Sequence, residues 1–440
     1  MNILTFLCFL VLVVVPLRSA DKGSPDEFDI IKDFDIQEEE DEDDNGFELL
    51  DFPSWESDHS NKVVVNVDAF DAAGDGVSDD TKAFVQAWKQ ACSMNNSVFL
   101  VPQGRRYLVN ATRFRGPCAD KLVIQIDGTI VAPDEPKNWE PKNPRSWLGF
   151  YNISEAYFQG KGVIDGSGSK WWAASCKKNK SNAFTIDSSS AIRVKGLTFQ
   201  NSQQMNFVIA RSDSVRVIDV KVSAPGDSPN TDGIHITQST NVVLQNCRIG
   251  TGDDCVSIVN ASSGSLGKDN SIGIVEKIVL DNAFLRGTTN GLRIKTWQGG
   301  SGYVRAILFQ NVNMDDVANP IIIDQFYCDS PSSCQNQTSA VEISQIMYRN
   351  ITGTSKSKRA INFACSDTVP CTHIVLNNIN LQSRDGTVEA YCNSASGFHY
   401  GYVQPSAECL SSDKDMVILK EKEEADITQA SKEHIIHTEL

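Results

Sequence analysis

The amino-acid sequence predicts an all-β fold, a right-handed parallel β-helix with a short N-terminal capping helix. Three observations carry that expectation. Seven short phrases of alternating polarity recur along the chain, one amphipathic segment with helical spacing precedes them, and helical periodicity is absent afterwards.

The phrases are Val194-Lys-Gly-Leu-Thr-Phe199, Val217-Ile-Asp-Val-Lys-Val222, Leu244-Gln-Asn-Cys-Arg-Ile249, Leu280-Asp-Asn-Ala-Phe-Leu285, Phe309-Gln-Asn-Val-Asn-Met314, Tyr348-Arg-Asn-Ile-Thr-Gly353 and Leu376-Asn-Asn-Ile-Asn-Leu381. Each reads as a short strand, apolar at alternate positions, with Gly, Asp or Asn in third place. Their starts lie 23, 27, 36, 29, 39 and 28 residues apart, the period of a solenoid whose coils bury their faces against one another. A β-sandwich with long loops would not repeat one phrase seven times. The recurrent Asn is expected to point inward at a turn and hydrogen-bond the next coil's backbone. The 36-residue interval after Leu244 reads as too long for one coil and too short for two. Upstream, Asp79-Asp80 is expected to cap a helix with apolar positions Phe84, Ala87, Trp88 and Ala91, suited to lid one end of the solenoid.

The chain of 440 residues carries 56 acidic and 40 basic side chains, a net charge of −16. Residues 1–56 hold 16 acidic and 3 basic residues and residues 411–440 hold 8 and 4, so the stretch 57–410 has 32 and 33. A body this neutral offers no single-sign field for a nucleic-acid partner. Residues 1–20 read as a signal peptide, with an apolar stretch too short to span a bilayer followed by Ser19 and Ala20. Residues 21–62 form an acidic pro-region or linker expected to be disordered, 63–410 the β-helix and 411–440 a charged tail. No later stretch reaches 18 apolar residues, so no membrane partner is expected.

Seven Asn-x-Ser/Thr sequons, at Asn95, Asn110, Asn152, Asn179, Asn260, Asn336 and Asn350, agree with export. Twelve cysteines fit an oxidising compartment, and eleven remain once Cys8 leaves with the leader. Cys328/Cys334, Cys365/Cys371 and Cys392/Cys409 are candidate pairs, and the odd count leaves at least one cysteine outside an internal bridge.

Three phrases inside the solenoid concentrate residues of catalytic type: Ser228-Pro-Asn-Thr-Asp-Gly233, Gly252-Asp-Asp-Cys255 and Arg293-Ile-Lys295. Singly they read as a turn, a solvated or cation-bound acidic pair, and two cations on one strand face. On stacked coils, equivalent positions meet, so Asp232, Asp253 and Asp254 can converge. Three packed carboxylates raise the pKa of at least one, which separates a proton donor from a water-activating base.

In this order and on this repeat, the phrases resemble glycoside hydrolase family 28, the polygalacturonases, and particularly the plant enzymes. Further matches are Gly74-Asp-Gly-Val-Ser-Asp-Asp-Thr81, Ile164-Asp-Gly-Ser-Gly168, Gly287-Thr-Thr-Asn-Gly-Leu-Arg-Ile-Lys-Thr296 and Asn319-Pro-Ile-Ile-Ile-Asp324, and the likeness runs from about Val65 to Leu410. It implies a secreted, cell-wall enzyme, expected to be a monomer without cofactor or metal, that hydrolyses α-1,4 bonds of polygalacturonate in pectin with inversion. It also implies Asp253 as acid, Asp232 and Asp254 as holders of the attacking water, and Arg293 and Lys295 as binders of a substrate carboxylate. Tyr327 would lie near the bound sugar, and Asn230 and Gly233 would shape the first phrase. A pectate lyase on the same fold would instead need a calcium site and an Arg acting as the base, and nothing beyond isolated Asp residues argues for it.

The resemblance breaks at one point. The family carries a Gly-His-Gly phrase whose His supports the acid, whereas here Cys255 to Ser263 runs straight into Gly264-Ser-Leu-Gly-Lys268. The family's Cys before that phrase, which the resemblance implies as the partner of the second-phrase Cys, is missing too, which would orphan Cys255. The alternative function is therefore an impaired or inactive pectin-binding relative. His235 reads as a strand histidine hydrogen-bonded in the solenoid wall rather than as a catalytic substitute.

Overall fold

A computed structural model describes residues 62–136, 139, 146–173, 181–259, 272–328, 337–383 and 386–410. All fall in the compact unit Glu40–Leu440. The expected leader, the acidic segment up to residue 61, the tail from 411 and the stretch 260–271 lie outside the described residues.

The chain winds as a right-handed parallel β-helix from Val63–Asn66 to Ala395–Gln404. A ten-stranded sheet runs from Thr112–Arg115 to Glu389–Asn393, and a nineteen-stranded sheet folds around the other sides of the coil. The first residues of all seven phrases stack in one column: Val194 on Val217, then Leu244, Leu280, Phe309, Tyr348 and Leu376. The 36-residue interval is therefore a single coil, as is the 39-residue one, and the expectation that it fits no whole number of coils is corrected. Coils differ in loop length while their strands keep register.

The third-place residues Gly196, Asp219, Asn246, Asn282, Asn311, Asn350 and Asn378 all take positive φ, between 51° and 77°. That left-handed corner costs most residues roughly 1–2 kcal/mol, and Gly, Asn and Asp tolerate it best. The asparagines of this column are exposed, not inward. Their amides mostly bond side chains of neighbouring coils, Asn246 to Asp219, Asn282 to Asn246, Asn350 to Asn311 and Asn378 to Asn350, and among them only Asn378 also reaches the next coil's backbone, accepting from Tyr402 N at 3.4 Å. Backbone conformation at a corner, not an interior hydrogen bond, explains the repeated amide.

Inward positions build a continuous apolar core. Phe150, Phe158, Phe184, Phe199 and Phe207 pack ring on ring at centroid separations of 4.8 to 5.6 Å. The capping helix spans Thr81–Cys92 and buries Ala83, Phe84, Ala87, Trp88 and Ala91. Phe84 meets Phe99 and Tyr107, and Trp88 meets Phe114 and Phe150, so the helix closes the N-terminal end of the core. Asp80 holds the N-cap position without a side-chain cap bond. Its carboxylate instead accepts from Ala73 N at 2.6 Å, while Asp79 accepts from Thr81 N at 3.0 Å. A second short helix, Ser169–Ala173, carries no periodicity long enough to read from sequence.

Cys365–Cys371 and Cys392–Cys409 are bridged as expected, and Cys328 is disulfide-bonded, with Cys334 outside the described residues. Cys92–Cys118, which sequence spacing did not suggest, ties the capping helix to the first coils. Cys247 and Cys255 are free and buried, and burial pushes both thiols up to about 12. Neither is available as a thiolate nucleophile.

Candidate active site

Strands Ile234–Thr237, Asp254–Val259, Asn290–Trp297 and Asn319–Tyr327 lie side by side in the ten-stranded sheet. Register places His235 beside Ser257, Ser257 beside Arg293, and Lys295 beside Asp324. These side chains alternate with inward Ile234, Ile236, Val256, Ile258, Leu292 and Ile294, so they occupy the outer face. The loops entering the first two strands carry Asp232 and Asp253.

Those loops can stack only because two residues lack side chains. A Cβ on Gly233 would sit 2.4 Å from the Cys255 carbonyl oxygen, and one on Gly252 would sit 2.0 Å from that of Ser228. Gly233 N donates to Asp254 O at 2.8 Å, and Gly252 N donates to Thr231 Oγ1 at 3.1 Å. Asn230, at φ 54°, turns its amide to donate to Asp253 Oδ2 at 3.2 Å. Thr288 Oγ1 holds the Asp253 carbonyl from the next coil.

The structure thus brings Asp232, Asp253 and Asp254 together, with one oxygen of each within 4.8 Å of the others. Asp254 is fully buried, and its Oδ1 accepts from Asn290 Nδ2 at 2.7 Å and Arg293 Nη1 at 3.0 Å. Its Oδ2 faces Lys295 Nζ at 3.3 Å. Burial alone would raise its pKa, but the Lys295 and Arg293 charges, with hydrogen bonds from Arg293 and Asn290, hold it well below the usual carboxylate range. Asp253 goes the other way. Burial, then the charges of Asp232 and Asp254, push it up to about 8. One carboxyl is therefore protonated at neutral pH beside one that stays ionised.

Arg293 also lies 3.6 Å from Asp324 through Nη2, and its buried Nε has no hydrogen-bond partner among the described residues. Tyr327 sits beneath both cations, its ring centroid 4.9 Å from Lys295 Nζ and 5.5 Å from Arg293 Cζ. Three acidic oxygens this close could in principle hold a cation. Here two side-chain cations already occupy the oxygens of Asp254, so the donor set reads as an acid–base cluster rather than a ligand set.

All eight residues singled out from sequence lie in this one region. Ser257, Asn290 and Asp324 were not singled out. Asn290 and Asp324 fall inside phrases that matched the resemblance, whereas Ser257 gains meaning only from its place between His235 and Arg293. His235 is indeed a hydrogen-bonded wall histidine, but its partner Ser257 reaches Asp232.

Residues 92–401 match the family described as Glycosyl hydrolases family 28. A probable polygalacturonase of Arabidopsis thaliana is 42% identical over 417 residues, covering 88% of this chain and 93% of its own length. A polygalacturonase of Chamaecyparis obtusa is 42% identical over 381 residues, 80% of this chain and 74% of that one. Among solved structures, endo-xylogalacturonan hydrolase from Aspergillus tubingensis is similar with a TM-score of 0.62 at 20% identity, covering 78% of this chain and 100% of that chain. An exopolygalacturonase from Thermotoga maritima has a TM-score of 0.56 at 18% identity, covering 73% and 87%. At these identities the solved structures speak for the fold alone.

Proposed function

The chain belongs to glycosyl hydrolases family 28, and on that premise we propose that it hydrolyses α-1,4-galacturonosyl bonds of polygalacturonate, the backbone of de-esterified pectin, with inversion at the anomeric carbon. One observation carries this reading: Asp253, pushed up to about 8, shares a cluster with an ionised Asp254 that touches Arg293 and Lys295. Asp253 donates its proton to the leaving oxygen. Asp232 and Asp254 hold the water that attacks the anomeric carbon.

Arg293 and Lys295 supply what a uronic-acid polymer needs, a planar donor fork and a point charge for a sugar carboxylate. Tyr327 backs both cations and offers an apolar face to the sugar ring. Asn230 steadies the proton donor, and Gly233 admits the close loop stacking that brings Asp232 to Asp253.

One oxygen of each carboxylate lies within 4.8 Å of the others, a nearer approach than the roughly 6.5–9.5 Å between opposed carboxyls that leaves room for a water in most inverting enzymes. The water is therefore assigned to the flank of Asp232 and Asp254 rather than to a gap between opposed groups. Direct attack by Asp254 is disfavoured, because both of its oxygens already accept from Arg293, Lys295 or Asn290. Such an oxygen is a poor nucleophile but a good anchor.

A cell-wall substrate and the leader expected at residues 1–20 put the chain outside the cell. No helix among the described residues is long and apolar enough to cross a membrane.

Incubation with polygalacturonate is expected to release new reducing ends, in buffer with or without a chelator. Proton NMR of the first products should show the β anomer. Affinity without product would leave an inactive pectin-binding relative, and unsaturated products lost in chelator would indicate a lyase. An α anomer appearing first would overturn inversion.

A further inference from the structure

His235, Ser257 and Asp232 form a buried chain, and only Asp232 has been given a role above. His235 is 2% exposed, Ser257 fully buried and Asp232 3% exposed. His235 Nδ1 lies 2.8 Å from Ser257 Oγ, and Ser257 Oγ lies 3.1 Å from Asp232 Oδ2. His235 Nδ1 is itself 3.4 Å from the same Oδ2.

A serine hydroxyl has one proton to give. Donation to a carboxylate is the stronger of its two options, because the acceptor carries charge. Ser257 therefore donates to Asp232, and its lone pair accepts from His235 Nδ1–H. The ring proton is thereby assigned to Nδ1. Register puts Val208 on one side of His235 and Ser257 on the other, with Arg293 one strand further, and Ser257 Oγ at 2.8 Å is a nearer acceptor for Nδ1–H than Asp232 Oδ2 at 3.4 Å.

The consequence falls on Asp232. Its Oδ2 faces Ser257 and His235, whereas Oδ1 accepts no hydrogen bond from any described residue. The carboxylate is held at one oxygen and presents the other. We propose that His235 is a positioning residue that acts through Ser257 to fix the Asp232 carboxylate with Oδ1 presented to the attacking water. The assignment rests on the hydrolytic role given to Asp232 above. His235 touches no reacting atom.

Two amides separate this role from plain packing. An Asn at 235 offers an N–H near the place of Nδ1, and a Gln offers one near the place of Nε2. On polygalacturonate, His235→Ala is expected to lower kcat about 10- to 100-fold with KM within about twofold, the usual size of an outer-sphere loss. His235→Asn should recover most of that loss, His235→Gln should not, and Ser257→Ala should resemble His235→Ala. Melting curves of each full-length variant check folding, and His235→Asn preserves the test should the alanine variant fail to fold.

Nitrogen NMR of the histidine-labelled chain reads the tautomer independently of activity and should find the proton of His235 on Nδ1. A proton on Nε2, equal losses in the Asn and Ala variants, or a rise in KM at constant kcat would overturn the proposal while wild-type hydrolysis stands. Wild-type chain that releases no reducing ends would overturn the hydrolytic reading, and this role with it.

Discussion

Two columns of the same solenoid obey opposite rules. At the left-handed corner, every coil from Val194 onward places Gly, Asp or Asn at one backbone position, and exposed amides link several neighbouring coils. On the outer face of the ten-stranded sheet, register is kept equally well, but successive coils offer His235, Ser257, Arg293 and Ile322 at one level. The corner repeats because each coil must solve the same conformational problem. The sheet face breaks the repeat because one site needs an acid, a base and cations, each supplied once. In a stacked fold, chemistry is read where the column stops repeating.

Breaking the sheet face should cost activity far more than breaking the corner. The largest effect is expected from Asp232→Asn, which removes a water-holding carboxylate. Its kcat on polygalacturonate should fall by about 10²- to 10⁴-fold, with the melting temperature little changed. A fall below tenfold would move the base role elsewhere.

Next is Arg293→Ala. It strips a partner from Asp254, which is fully buried and ionised. Removing one side of such a pair costs about 3–5 kcal/mol. Lys295 remains at 3.3 Å, so the lower end is expected in urea unfolding. A raised KM for polygalacturonate should accompany it.

Asp253→Asn should do the reverse to stability. The folded pKa of Asp253, about 8, lies above its unfolded value near 3.8. The folded state thus binds more protons between those pH values, and Asp253 makes the fold less stable as pH rises through that window. The Asn variant should melt higher than wild type at pH 7 to 8, with the gain vanishing below about pH 4. An equal gain at every pH would mean that the carboxyl is not the cause.

The corner supplies the smallest change. Asn311→Val forces a β-branched residue to φ 55° and removes the hydrogen bonds to Asp281 and Asn350. A loss of roughly 1–2 kcal/mol is expected, with kcat unchanged. Asn311→Gly should lose less, because the backbone conformation then carries no strain. A valine variant as stable as wild type would remove the conformational explanation of the column.

The contrast also explains what the sequence could carry. Leu280 and Phe309 announce their coils because each begins a phrase seen seven times, and the columns follow. The loop between coils is silent to that pattern, which is why the interval after Leu244 misled although Leu244 and Leu280 are direct neighbours. Asn282 was legible as a repeated residue but not as an exposed one, since conformation and hydrogen bonding both favour amides at turns. Within the site, Asp232, Asp253, Asp254, Arg293 and Lys295 stood out because they fall in dense polar phrases. Ser257 did not, because a serine on an apolar strand acquires its meaning from residues 22 and 25 positions away. Asp324 and Asn290 likewise depend on stacking. That one of the packed carboxyls would be raised was legible, and the resemblance pointed to Asp253, but the lowering of the adjacent Asp254 follows from which carboxylate the cations of the next coil reach.

Catalysis by Asp253 is tested most directly by the turnover of Asp253→Asn beside wild type on polygalacturonate, read as reducing ends over time. With the proton donor gone and Arg293, Lys295 and Tyr327 intact, kcat is expected to drop by about 10²- to 10⁴-fold while KM holds. A variant that keeps wild-type turnover would contradict the assignment of the acid and the function built on it.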